Sequence, residues 1–87
     1  IKNPNAVQHL WVNNPFNNII NIRLAKLPIQ NVKVELMNAG GSLVYNKTFG
    51  NSTDIPVDLS SLKLSSGTYL LRTNVDGKIY TNKVVKQ

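Results

Sequence analysis

The sequence contains no cysteine and no long apolar run, and only four of its 87 residues are acidic. Without thiols, disulfides cannot brace the fold, and zinc or iron–sulfur sites built on thiolates are excluded. The apolar runs are a few residues long, far below the ~20 residues of a membrane-spanning helix, so no stable membrane insertion is expected. A chain of this length has room for one small domain and no second one.

The shortage of acidic residues leaves a formal net charge of +6. Such a charge can attract nucleic acid, an anionic membrane surface or an acidic glycolipid, and clustering of the cations distinguishes these partners. The lysines and arginines are spread along the chain, with some local density only at its end, and neither an aromatic RNA-binding signature nor a recognition helix is present. We therefore interpret the lysines as solvated strand faces and expect no nucleic-acid partner.

Asparagine is abundant, with thirteen residues, and lysine outnumbers arginine by eight to two. AT-rich codons account for both preferences, so neither preference needs a functional explanation. Asparagine also suits turns because its side chain imitates backbone hydrogen bonding. Many of these asparagines lie between apolar runs.

The apolar residues recur with the two-residue period of half-buried β-strands. Ile20, Ile22 and Leu24 alternate with polar or small residues, and so do the apolar positions of 32–36. With a first strand around residues 6–12, the pattern predicts about seven strands at spacings of roughly 8 to 12 residues. No stretch has a helical period. The predicted fold is all-β: an immunoglobulin-like antiparallel β-sandwich.

Residues 67–87 have the pattern of a β-hairpin that continues to the end of the sequence given. Asp76 and Gly77 form the two-residue turn that hairpins favour, which would place Tyr69 opposite Val84. The closing strand is expected at a sheet edge, where unpaired N–H and C=O groups can bind another protein. Chain ends normally fray, so a patterned terminal strand indicates a functional role.

The same register places apolar residues on both faces of the hairpin. Tyr69 shares one face with Val84, whereas Leu70, Ile79 and Val85 share the other. This distribution predicts a strand pair that is partly buried on each side.

Catalytic and metal-binding patterns are weak. His9 is the only histidine, and nothing around the serines resembles a nucleophile elbow that could combine with it and Asp54 or Asp58. Two carboxylates four residues apart do not supply the six or more oxygens of a hard-cation site. We therefore predict a domain that is not an enzyme and uses no cofactor or metal.

The order of short motifs along almost the whole chain is distinctive: NPFNN at 14–18, VKVEL at 32–36, GSLVY at 41–45, LSSL at 59–62, SGTYLL at 66–71 and KVVKQ at 83–87. In this order and spacing the motifs resemble the type A C-terminal sorting domain of the Bacteroidetes type IX secretion system. One departure is Asn13, which stands where the family often has a proline.

The resemblance implies a secretion signal carried by a cargo protein fused to its N-terminal side. In the family, such a domain directs the cargo from the periplasm through the outer-membrane translocon, is received by a β-barrel shuttle protein and is usually removed by a sortase that attaches the cargo to the cell surface. The cargo is thus secreted or surface-bound. By position, the resemblance implies recognition residues Gly67, Tyr69, Lys83, Val84, Val85, Lys86 and Gln87, with Asn14, Pro15 and Phe16 shaping an N-terminal edge.

The resemblance also divides the chain. Residues 6–87 are expected to be the sorting domain, and residues 1–5 the linker end of a longer precursor, with cleavage within 1–5 or upstream. Any export signal would then lie further upstream.

Structural roles compete with recognition for several of these residues. Tyr69 and Val84 suit a core and Gly67 a special backbone angle, whereas a core has no use for Lys83 and Lys86. Two other functions remain open: a carbohydrate-binding or adhesive module of a secreted enzyme, which needs a row of exposed aromatics, and a nucleic-acid or polyanion binder, whose affinity would fall steeply with salt.

Overall fold

The computed structural model describes residues 8–87, which form seven β-strands and one short 3₁₀ turn. Alternating apolar residues with intervening Gly, Pro and Asn turns account for strands of this length. The elements are β1 (Leu10–Val12), β2 (Ile19–Leu24), β3 (Val32–Asn38), β4 (Leu43–Phe49), β5 (Asp54–Asp58), the 3₁₀ turn (Ser60–Leu62), β6 (Gly67–Val75) and β7 (Lys78–Lys86).

The strands form two antiparallel sheets, one with the order β1-β2-β5 and the other with the order β4-β3-β6-β7. The predicted all-β sandwich of about seven strands is confirmed. In constant-type immunoglobulin domains the fourth strand lies beside the fifth, but here β4 pairs with β3 in the other sheet. The first strand is shorter than the predicted 6–12, and the part of that prediction before residue 8 lies outside the described residues.

The core lies between the sheets and is built from the alternate residues that the sequence pattern indicated. Each fully buried aliphatic side chain contributes about 1.5–3 kcal/mol by leaving water, so these residues supply most of the stabilisation. Phe16 also belongs to the core although it lies outside the seven strands. The buried apolar residues are Phe16, Ile20, Ile22, Leu24, Val32, Val34, Leu36, Ile55, Val57, Leu59, Tyr69, Leu71, Val75 and Val84.

The final hairpin has the predicted register, with Tyr69 opposite Val84. Asp76 and Gly77 both have positive φ, 52° and 86°, as a two-residue type I′ turn requires. The prediction that both faces are partly buried is wrong for the second face. Leu70, Ile79 and Val85 are exposed there, because no element of residues 8–87 packs on the outside of the four-stranded sheet.

The turn end of this hairpin is attached to the loop between β2 and β3. The backbone N–H groups of Ile29 and Gln30 donate to the Asp76 carboxylate at 2.8–3.0 Å. These hydrogen bonds favour the ionised form and hold the pKa of Asp76 below its usual value. Asp76 therefore shapes the turn and also positions a loop distant in sequence.

Candidate functional site

The last residues of β7 present alternate side chains to the two faces of the sheet. Val84 points into the sandwich and is completely buried, whereas Lys83 and Val85 lie on the exposed outer face. Lys86 lies two residues after Val84, so its side chain starts on the same inner face of the sheet, and it is half-buried. Its Nζ donates to the Gln87 carbonyl oxygen at 2.8 Å. The two lysines singled out from the sequence therefore belong to opposite faces of the strand.

The outer edge of β7 is occupied near its end. Phe16 forms an isolated parallel bridge with Lys86. The N–H of Phe16 donates to the Val85 carbonyl at 2.8 Å, and the N–H of Gln87 donates to the Phe16 carbonyl at 2.9 Å. The strand is at the edge of its sheet, as predicted, but at this end its backbone groups are not free for another protein.

Asn14 extends this pairing with its side chain. Its Nδ2 donates to the Lys83 carbonyl at 3.1 Å, and its Oδ1 accepts from the Val85 N–H at 2.9 Å. A carboxamide offers the same donor and acceptor as a peptide group, so Asn14 acts as one more residue of a neighbouring strand.

Asn13 makes the equivalent pair of hydrogen bonds to the other sheet. Its Nδ2 donates to the Ile19 carbonyl at 3.1 Å, and its Oδ1 accepts from the Asn21 N–H at 2.6 Å. A proline at this position has no side-chain amide and could not do this. We call residues 13–16 the edge clamp, because they connect β2 of one sheet to β7 of the other.

The ring of Phe16 anchors the edge clamp in the core. It is 1% exposed and meets Tyr69 edge-on, with ring centroids 6.4 Å apart and planes inclined by 66°. The Tyr69 hydroxyl donates to the Ser65 carbonyl at 2.7 Å, an arrangement like the tyrosine corner of immunoglobulin folds. Between Asn14 and the ring, the Asn14–Pro15 peptide bond is cis. Tyr69 thus has a structural role in the core, which was the alternative to a role in recognition.

Gly67 begins β6 opposite Lys86, with φ at 146°. Side chains of L residues rarely adopt this angle. A Cβ on Gly67 would meet no atom within 4 Å, so the backbone angle rather than lack of space accounts for glycine here.

The structure thus brings the two predicted groups of site residues together. Residues 14–16 contact residues 83–87 directly, although 69 and 71 residues separate Asn14 from Lys83 and Val85. Val84, Tyr69 and Phe16 form the packed base of this site, and Lys83 and Val85 remain accessible above it. The pairing of the two asparagines was not predictable from the sequence, because asparagine is abundant along the whole chain.

The residues considered as weak catalytic candidates lie outside this site, and His9 and Asp54 contact other side chains. The His9 ring lies against Trp11 with centroids 6.0 Å apart, and Asp54 accepts from Arg23 Nε at 3.2 Å. Asp54 and Asp58 share one solvent-exposed face of β5. Within residues 8–87, no group of three His, Asp or Glu side chains is close enough to hold a metal ion.

Exposed aromatic rings are scarce. Trp11 is 54% exposed, whereas the Phe and Tyr rings are buried or half-buried. A single exposed ring is not the row of aromatics that a carbohydrate-binding face requires, so this geometry does not favour the carbohydrate alternative. In the part of the chain that the structure describes, no helix is long and apolar enough to cross a membrane.

Comparison with known proteins agrees with the motif order and the fold. The model of a family described as secretion system C-terminal sorting domain matches residues 13–87. No curated protein matches the chain. The crystal structure of a DUF3244 family protein with an immunoglobulin-like β-sandwich fold, from Bacteroides vulgatus ATCC 8482, superposes with a TM-score of 0.67 at 15% identity. The match covers 91% of this chain and 95% of that protein, and it shows the immunoglobulin-like fold.

Proposed function

The chain belongs to the secretion system C-terminal sorting domain family, and from this premise we propose that residues 83–87, held by the edge clamp, are the part recognised by the secretion machinery. The family is that of type IX secretion in Bacteroidetes, so the domain is a C-terminal sorting signal. Its cargo is a secreted or cell-surface protein, and we infer that the domain itself is a non-enzymatic module.

The finer steps of the proposal follow the family. A cargo fused N-terminally to the domain reaches the periplasm, a β-barrel shuttle protein receives the domain at the outer-membrane translocon, and a sortase removes it and attaches the cargo to the cell surface. Cleavage within residues 1–5, or upstream of them, stays a prediction, because these residues lie outside the described part of the chain. The boundary between linker and domain is likewise a prediction.

One observation carries the recognition proposal: the edge clamp joins the NPF motif to the terminal strand. A terminal segment held by backbone hydrogen bonds on both edges presents its side chains in fixed positions. The free-energy cost of ordering these side chains when a receptor binds is then small. Lys83 and Val85 are exposed and suited to direct contact, and Gln87 is exposed at the end of the strand.

The remaining predicted residues are assigned supporting roles in this proposal. Val84, Tyr69 and Phe16 hold the strand from inside, and Gly67 provides the backbone angle opposite Lys86. Asn14 and Pro15 shape the edge. We assign Lys86 a weaker part in direct recognition than Lys83, because its ammonium group is already bonded to the Gln87 carbonyl.

The test is a fusion of this domain to an exported reporter protein in a host with a type IX system. The wild-type fusion is expected at the cell surface or in the medium. Lys83→Glu keeps strand and chain length, and exposed charge changes seldom cost more than ~0.5 kcal/mol, so the variant should remain folded in thermal melts. We expect its reporter to accumulate in the periplasm, with Lys86→Glu less affected.

Lys47→Glu is the control, because Lys47 is also an exposed strand lysine but lies on β4, at the opposite edge of the sheet and on its other face, with Nζ 5.2 Å from the centroid of the Phe49 ring. It should be delivered normally. Retention of the wild-type fusion in the periplasm would contradict the sorting function itself. Normal delivery of a folded Lys83→Glu variant would remove this lysine from the recognition site.

A further inference from the structure

The exposed side of the four-stranded sheet, called the outer face here, has most of its apolar residues at one end, and Ile79 lies apart from them near the other end. One cross-strand row runs through all four strands, from Leu43 through Met37 and Leu70 to Lys83. Val85 lies two residues beyond Lys83 on the same face, diagonal to Leu70. Exposed apolar side chains are ordinary when single, but a contiguous group marks an interaction site.

Cationic groups border this apolar row. Arg72 lies in the next row beside Leu70, Lys83 ends the row itself, and Lys33 lies one row further. Glu35, opposite Arg72, is the only acidic side chain on the strands of this face. The outer face is therefore apolar at one end, with positive charge beside that end.

The exposed face of the three-stranded sheet has a different character. Its strands contribute one guanidinium, that of Arg23, and two carboxylates, those of Asp54 and Asp58. Arg23 and Asp54 pair with each other at 3.2 Å. The positive charge near the apolar row is thus a property of one face, and it is complementary to an acidic partner.

The edge clamp limits how a partner can approach the terminal strand. A protein that added a strand beside residues 83–87 would have to displace Asn14 and Phe16 from the backbone groups they occupy. Approach from the outer face needs no displacement. A partner that contacts Lys83 and Val85 from that side also covers Leu70, which lies directly opposite Lys83.

We propose that Leu43, Met37, Leu70 and Val85, bordered by Arg72 and Lys83, form a docking surface for a folded protein whose contact area has an apolar centre and an acidic rim. This deepens the proposed function and rests on it: the partner is the protein that receives the sorting domain. Recognition then extends across all four strands at one end of the sheet, far beyond the last five residues in sequence, and proceeds through side chains without strand addition.

The test compares two substitutions in the reporter fusion, Leu70→Glu and Ile19→Glu. The two residues are about equally exposed, 40% and 42%, and each lies on an inner strand of its sheet, but on opposite faces of the sandwich. Leu70→Glu places a carboxylate against the partner's apolar centre and close to its acidic rim. We expect it to reduce surface delivery about tenfold or more, the loss typical of a central interface residue, and Ile19→Glu to leave delivery unchanged.

A second variant covers the case in which Leu70→Glu fails to fold. Leu43→Glu lies on the edge strand β4, 49% exposed, remote from the last residues in sequence, and should reduce delivery in the same direction. Normal delivery of folded Leu43→Glu or Leu70→Glu, with the wild-type fusion also delivered, overturns this inference and leaves the sorting function intact. Retention of the wild-type fusion counts against the sorting function instead.

Two further measurements distinguish the proposed protein partner from other molecules that could bind the outer face. Light scattering of the wild-type domain should show a monomer, and a dimer that Leu70→Glu dissociates would assign the surface to a second copy of this chain. Flotation with phosphatidylglycerol and phosphatidylcholine vesicles should show no binding that depends on Arg72. Binding abolished by Arg72→Glu would assign the face to an anionic membrane. Either of these two results overturns the proposal.

Discussion

The two halves of the outer edge of β7 differ although they belong to one strand. Near the end of the strand, the backbone groups of Lys83, Val85 and Gln87 bond to the edge clamp. In an antiparallel strand, backbone groups of alternate residues point to the same edge, so the N–H and C=O groups of Ile79 and Thr81 also point to the outer edge of β7. No group of residues 8–87 bonds to them.

This difference does not arise within β7, because both halves have the same alternating pattern. It arises from four residues of a distant loop, which bond to one half of the strand edge, whereas within residues 8–87 the other half has no such partner. Edge strands are commonly protected by charge, proline or a bulge. Here a short segment of the same chain protects the terminal half, and the side chains that the sorting proposal requires stay exposed.

The largest expected effect is that of Phe16→Ala. Removing a fully buried ring from a core costs about 3–5 kcal/mol, through lost burial and the cavity that remains, and the whole domain has only ~5–15 kcal/mol. The variant should unfold at much lower urea concentration, as measured by circular dichroism. Phe49→Ala, which removes a half-buried ring from the opposite edge, is the control. Equal losses from the two changes would show that Phe16 does not anchor the edge clamp.

A smaller effect is expected from Asn14→Ala. It removes two hydrogen bonds to β7, and at about 0.5–1.5 kcal/mol each the free energy of unfolding should fall by ~1–3 kcal/mol. Asn13→Ala removes the same two kinds of bond from β2 and should cost about as much. Amide hydrogen exchange distinguishes the effects of the Asn14→Ala and Asn13→Ala substitutions. Only Asn14→Ala should accelerate exchange at Val85, and acceleration by Asn13→Ala alone would contradict the assignment of the two asparagines.

The smallest effect concerns the turn end, where Asp76 holds the loop. Because hydrogen bonds from Ile29 and Gln30 lower the pKa of Asp76 in the folded state, this carboxylate stabilises the fold at pH values above its unfolded pKa of about 3.9. The contribution is lost as the pH falls through the lower folded pKa. Asp76→Asn keeps a turn of type I′ but does not titrate. Its melting temperature should therefore fall less between pH 5 and pH 2 than that of the wild type, and an equal fall would contradict this role.

The fold could be predicted from the sequence because strand period and turn residues are local signals. The alternation at Ile20, Ile22 and Leu24 determined which face is buried, and Asp76 with Gly77 determined the register of the hairpin. The prediction was wrong for the outer face of the hairpin. Apolar residues there indicated burial, and nothing in the local pattern tells a covered face from one that no other element covers.

The candidate site could be predicted only as two separate segments. The NPF motif and the terminal strand were both selected, but their contact depends on how β1 leads into the edge clamp. Asn13 and Asn14 are adjacent in sequence and pair with different sheets, which no local propensity encodes. The opposite orientations of Lys83 and Lys86 do follow from strand parity, once the strand is known to continue to Lys86.

The most direct test of the edge clamp is residue-resolved amide hydrogen exchange by NMR in the wild-type domain. The Val85 amide donates to Asn14 and should be protected, whereas the Thr81 amide, on the same edge, should exchange almost as fast as an exposed amide. The Val84 amide, directed to β6 by strand alternation, is the internal reference for a protected site. Protection of Val85 well above Thr81 is the predicted result, and equal, fast exchange at both would show that the terminal strand is not held by residues 13–16.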